Sequence, residues 1–98
     1  MEKRTPHCPL LIVKSLIDAG KVSSTFSALA GASALDISFD EMLNIIKSLT
    51  IKEFYKSMTT HSNHQVWQDV YHARTQSAEI YIKLTVIEDV LIVSFKEL

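Results

Sequence analysis

The sequence predicts an α+β fold, with three amino-terminal helices packed on one face of a carboxy-terminal antiparallel sheet of about four strands. Three observations predict it. Apolar residues recur at helical spacing up to Thr50, after which β-branched and aromatic residues alternate. Connections in the second half are short, and short connections join antiparallel neighbours, because a parallel crossover takes about a dozen residues or more. No linker, repeat or low-complexity tract interrupts the 98 residues, so both halves share one core as a single domain, 1–98.

The first helix is expected from Pro9 to Ala19. Proline suits an opening position, where its missing N–H costs nothing, and Gly20 suits the left-handed position after the end. Leu10, Val13 and Ile17, with Ile12 and Leu16 beside them, form its apolar stripe, while Lys14, Ser15 and Asp18 face water. A second helix is expected from Thr25 to Ser33, capped by Ser23 or Ser24, with Phe26, Leu29 and Ala30 buried. The third has the strongest signal. Ser38 and Glu41 form a capping box, Ile37 and Met42 a hydrophobic staple, and Leu43, Ile46 and Leu49 the buried face.

Four strands follow, at about Phe54–Thr60, Gln65–Ala73, Ala78–Ile87 and Val90–Lys96. The third alternates cleanly: Ile80, Ile82, Leu84 and Val86 point one way, and Glu79, Tyr81, Lys83 and Thr85 the other. A two-residue loop at Glu88-Asp89 places Ile82, Leu84 and Val86 opposite Phe95, Val93 and Leu91, and Tyr81 opposite Lys96 on the other face. Burying those six apolar side chains is worth roughly 1.5–3 kcal/mol each before entropy is subtracted. A four-residue loop at Arg74–Ser77 pairs Ala73 with Ala78, Gln68 with Lys83 and Val70 with Tyr81. A four-residue loop at His61–His64 sets Lys56 opposite Asp69, away from Gln68; an odd loop or a bulge returns Lys56 to Gln68's face.

Composition narrows the function classes. One cysteine, Cys8, excludes an internal disulfide framework or a cysteine-rich zinc site and suits a reducing cytosol. No secretory signal is read at the start, and no apolar run approaches the ~20 residues of a bilayer span, so a cytoplasmic protein without a membrane partner is expected. Ten basic against eleven acidic residues rules out a strong overall positive field, so any nucleic-acid contact must use locally placed cations.

An uncovered sheet face carrying Tyr81, Lys83, Lys96 and Gln68 offers cations, a phenol and an amide, a set able to hold a phosphodiester and neutralise charge developing on it. The plainer reading is a solvated face with polar alternation. His61 and His64 lack the further ligands of a metal site and read as solvated loop residues, and His7 and His72 compete with them for any acid–base role. Cys8 precedes a helix whose dipole can lower a thiol pKa, but with no placed base it reads as a packing residue. Trp67 and Tyr71 project from one strand face, as core residues there or as base-stacking rings if that face is open.

The runs Met1–His7, Phe54-Tyr55-Lys56-Ser57-Met58-Thr59-Thr60, Trp67-Gln68-Asp69-Val70-Tyr71 and Thr85–Glu97 carry a resemblance that extends nearly end to end, with Cys8–Leu49 more divergent. The chain resembles the motility quorum-sensing regulator (MqsR) toxins. The resemblance implies a RelE-like fold and an endoribonuclease toxin of a type II toxin–antitoxin pair, cleaving single-stranded mRNA at GCU-type sites without ribosome, metal or other cofactor. It implies a catalytic set of Lys56, Gln68, Tyr81 and Lys96; Lys83, Arg74 and His64 are expected as further RNA contacts. The implied partner is a cognate antitoxin with a zinc-binding amino-terminal domain and a DNA-binding carboxy-terminal domain, and no direct DNA binding by this chain is expected. A homologue that has lost activity and only holds an antitoxin is the alternative.

Overall fold

The computed structural model describes residues 1–98. Helix α1 (Leu10–Asp18) starts immediately after Pro9 and stops before Gly20, which takes the left-handed conformation at φ +76°. Helix α2 (Phe26–Ala34) is capped by Thr25, whose Oγ1 accepts from the Ala28 N–H and donates to the Val93 carbonyl. Helix α3 (Phe39–Lys47) has both halves of the Ser38/Glu41 capping box. A single 3-10 turn at Ile51–Glu53, with a second box formed by Thr50 and Glu53, delivers the chain into the sheet.

That sheet has six strands where about four were expected. The four long ones are β3 (Phe54–Thr59), β4 (Trp67–Arg74), β5 (Glu79–Ile87) and β6 (Asp89–Glu97). Two short edge strands complete the order β1-β3-β4-β5-β6-β2: β1 (Glu2–Lys3) pairs antiparallel with β3, and β2 (Val22–Ser24) pairs parallel with β6, so the sheet is mixed. Ser23 and Ser24, expected as helix caps, are therefore strand residues, and the capping passes to Thr25.

All three helices pack on one face, where Val13, Ile17, Ala28, Ala32, Met42 and Ile46 meet Ile80, Ile82, Leu84, Val90, Ile92 and Phe95. Two helix assignments are corrected. Ile12 is exposed, because Val13 and Ile17, four residues apart, hold the inward stripe of α1. In α2 the expected face is reversed: Phe26 is 86% exposed and Leu29 and Ala30 also face outward, while Ala28 and Ala32 are buried. The reason is close approach. A Cβ built on Gly31 would collide with the Phe95 carbonyl, so only small residues fit the contacting side.

The strand registers keep the expected faces of β4 and β5 with corrected partners, while β6 changes faces before Ser94. Tyr81 pairs with Lys96, Ile82 with Phe95 and Lys83 with Ser94 as predicted, but a bulge then intervenes and Leu84 pairs with Ile92 and Val86 with Val90. Val93 and Leu91 thus leave the buried face. The hairpin is tighter than the expected Glu88-Asp89 loop: Ile87 pairs with Asp89, and Glu88 alone turns the chain at φ +67°. Between β4 and β5 the turn closes at Thr75 and Ala78, two residues tighter than expected, so Val70 faces Lys83 and His72 faces Tyr81. A change of two residues preserves which side every residue faces.

The β3–β4 pairing takes the second of the two alternatives. Thr60 donates to the Val66 carbonyl across an odd, five-residue loop, and Lys56 pairs with Val70 rather than Asp69. A further bulge at Tyr55 restores Phe54 to the core side opposite Tyr71. Lys56 therefore stands on the face that carries Gln68.

Candidate active site

No helix covers the other side of the sheet, and register places side chains there in successive rows. One row carries Lys56, Val70, Lys83 and Ser94 across β3, β4, β5 and β6. The next carries His72, Tyr81 and Lys96, with the bulged Tyr55 stacked on His72 at 4.3 Å between ring centroids. His72 lies 5.9 Å from Tyr81, so three rings step across the strands. Val70 is fully buried despite facing this side, because the flanking long side chains lie over it.

Tyr81 is the centre of the cluster. The Lys96 ammonium is 5.4 Å and the Lys83 ammonium 5.9 Å from its ring centroid, within reach of cation–π attraction. Partial burial, the largest influence, raises the Tyr81 pKa, with Lys56 opposing it, so the phenol remains a proton donor at neutral pH. Lys83 is shifted down, first by burial and then by the charges of Lys96 and Lys56. The site thus concentrates positive charge that water only partly compensates, and a phosphate placed over Tyr81 would relieve it.

Lys56 has the opposite environment. Its Nζ donates to Glu2 Oε2 at 2.9 Å, which raises the lysine pKa and lowers that of the carboxylate. Glu2 comes from edge strand β1, where it pairs with Met58 on the same face. The arm behind it is anchored by Asp69, 5% exposed on the helix side, whose two oxygens accept from the His7 and Cys8 N–H groups and from Ser57 Oγ. Lys3 continues the docking, with its ammonium 4.1 Å from the Trp67 ring centroid.

The matches to known proteins decide the family. The family model described as motility quorum-sensing regulator, toxin of MqsA, matches residues 5–97. The chain belongs to this family. Among the relatives is the mRNA interferase toxin MqsR of Escherichia coli (strain K12), 57% identical over 97 residues that cover 99% of each chain.

Within this toxin family member, Lys56, Tyr81, Lys83 and Lys96 converge on the uncovered face. Gln68 shares that face but lies opposite Met58, one row beyond Lys56 and two beyond Tyr81, or about 13 Å along the strands. Arg74 sits at the far end of the face, paired with Glu79 at 2.6 Å. His64 lies in the β3–β4 loop, lining a small depression with His61, Glu2 and Met58.

Cys8 is half-buried and packs against the core, in line with the packing reading, and burial with the Asp69 charge raises its pKa, opposite to the lowering a helix dipole can give. Trp67 is half-buried against His7, stacked at 5.6 Å, and Tyr71 is in the core. Sequence reasoning missed Tyr55 and Glu2 as members of the cluster. The four-residue-loop register, which sets Tyr55 opposite Val70, was the signal for Tyr55; a two-residue strand leaves none for Glu2.

Proposed function

We propose that the chain is an endoribonuclease toxin that cleaves single-stranded mRNA on the uncovered sheet face. The observation that carries this reading is the phenol of Tyr81 set among the ammonium groups of Lys96 and Lys83, with Lys56 in the adjoining row. The reaction is attack of a ribose 2′-hydroxyl on the adjacent phosphate, giving a 2′,3′-cyclic phosphate and a 5′-hydroxyl end. Lys96 and Lys83 neutralise the dianionic phosphorane, and Tyr81 donates a hydrogen bond to a non-bridging oxygen. Lys56 supplies a further positive charge beside the attacking ribose.

Gln68, two rows from Tyr81, suits a hydrogen bond to a neighbouring nucleotide rather than to the reacting phosphate. The Tyr55–His72 stack offers a flat surface for an unpaired base. Arg74 and His64, at opposite ends of the face, extend the RNA track. DNA lacks the attacking hydroxyl and stays uncut. Family membership supports the finer points: cleavage at GCU-type sites without ribosome or metal, action in the cytoplasm, and neutralisation by a cognate antitoxin that binds zinc and DNA through its own domains.

Purified protein incubated with a defined RNA and a chelator, followed by mapping of 5′ ends, tests the reading. Cleavage at discrete sites is expected, lost by about 10²–10³-fold in Lys96→Ala, with an all-DNA counterpart intact. Intact RNA with the parent chain, or equal cleavage of DNA, overturns it. Intact RNA together with tight antitoxin binding would identify a chain that only holds its partner.

A further inference from the structure

We propose that Glu2 is the general base of the cleavage, taking the 2′-hydroxyl proton, and that Lys56 holds it in place. The inference rests on the ribonuclease reading above and assigns the one role that the cluster of lysines and phenol leaves open. Glu2 is the carboxylate in contact with that cluster, its Oε2 held by Lys56 Nζ at 2.9 Å and its other oxygen uncommitted. The remaining nearby carboxylates are engaged elsewhere: Glu79 pairs with Arg74, and Asp69 lies on the helix side with both oxygens bonded.

Position argues the same way. Displacement at phosphorus is in line, so the base and the group that protonates the leaving oxygen must stand on opposite sides of the phosphate. Across the strands Glu2 and Lys56 approach from the β1–β3 side and Lys96 from β6, with Tyr81 between them. Glu2 starts in the Met58 row, as Gln68 does, but unlike Gln68 it is joined to the cluster, through its bond to Lys56 Nζ. The 2′-oxygen bonds to phosphorus as its proton passes to Glu2. The bond to the 5′-oxygen breaks as that oxygen takes a proton from the Lys96 ammonium, and both side chains re-equilibrate with solvent. Bonded to a carboxylate, Lys56 stays a cation and is the wrong partner for accepting a proton.

The groups facing Glu2 are Lys56 from β3, Arg4 and the amino terminus from its own segment, and His61 and His64 from the β3–β4 loop; Tyr81 and Lys83 act on it through Lys56. The test is Glu2→Gln, assayed on the defined RNA from about pH 3.5 to 8, with circular dichroism confirming the fold. The expected result is a kcat lower by about 10²–10³-fold, partly restored in Glu2→Asp. Binding of a non-cleavable 2′-O-methyl RNA should be unchanged or tighter. The acidic limb, expected in the parent below the ordinary carboxylate value of ~4.5, should disappear.

Three results overturn the assignment. Cleavage by Glu2→Gln at or above the parent rate would make Glu2 a competitor for Lys56. Equal losses in binding and turnover would make it structural. A limb in the imidazole range that survives Glu2→Gln would move the role to His72 or a loop histidine. If Glu2→Gln cuts normally while Lys96→Ala is inactive, this inference fails alone; if the parent cuts nothing, the underlying reading fails.

Discussion

Lys83 costs the free protein something that a phosphodiester would return under the ribonuclease reading proposed above. Burial and two neighbouring ammonium groups hold its pKa below 10.5, whereas in the unfolded chain it regains its ordinary value. The unfolded state therefore binds more protons between the two values, so stability rises with pH through that window, and below it the folded protein carries the full penalty of the charged lysine. A phosphodiester reverses the balance by favouring the charge. Replacing Lys83 with Met should thus raise the melting temperature at neutral pH while weakening binding of 2′-O-methyl RNA severalfold. A lower melting temperature together with unchanged RNA affinity would show that the charge is neither penalised nor used. In the parent, RNA affinity should decline with rising pH before the free lysine value is reached, as Lys83 loses its proton.

At the level of elements, α2 and β6 are fitted to one another, and that fit positions Lys96. Gly31 lies against the Phe95 carbonyl, and an added methyl would also meet the Lys96 Cβ at 3.2 Å. Gly31→Ala is expected to destabilise by about 1–3 kcal/mol through overpacking and to lower cleavage beyond what unfolding explains. Denaturant titration and turnover on the same samples separate the two effects. The bulge at Val93 serves the same docking, since Thr25 is bonded to its carbonyl. Deleting Val93 leaves Val90, Ile92 and Phe95 inward and Lys96 opposite Tyr81 in a regular ladder, so the fold should persist, weakened by roughly 0.5–2 kcal/mol from the disturbed cap. Loss of folding would mean that the bulge sets the strand register. These elements also explain what the sequence disclosed. Alternation in β5 exposed Tyr81 and Lys83, and the far end of β6 brought Lys96 to Tyr81. The bulge stayed hidden because Val93 is apolar like Leu91, so an uninterrupted alternation looked as good as a shifted one. The reversal of α2 was hidden because residue size, set by a carbonyl from a distant strand, outweighed hydrophobicity there.

On the scale of the whole molecule, the face proposed as the active one depends on an arm whose own sequence has no readable pattern. A strand of two residues has no periodicity, and β1 exists because Asp69 gathers the His7 and Cys8 amides from across the sheet. Asp69→Asn should cost about 1.5–3 kcal/mol, the range for hydrogen bonds to a charged group. It should also depress turnover more than RNA binding, because Glu2 loses its placement while the lysines keep theirs. A melting curve and a kcat–Kd comparison check this, and equal losses would point to a general loosening. The site that this arm completes has no roof. Its cations therefore meet bulk electrolyte, Lys96 fully and the half-buried Lys83 in part, and counterions must leave before a strand can settle. With Lys83 and Lys96 meeting phosphates and Lys56 already paired with Glu2, the logarithm of RNA affinity should fall against the logarithm of salt concentration with a slope of about −1.4. Ionic strength thus becomes a throttle on the toxin, set by the surrounding medium rather than by any moving part of the protein.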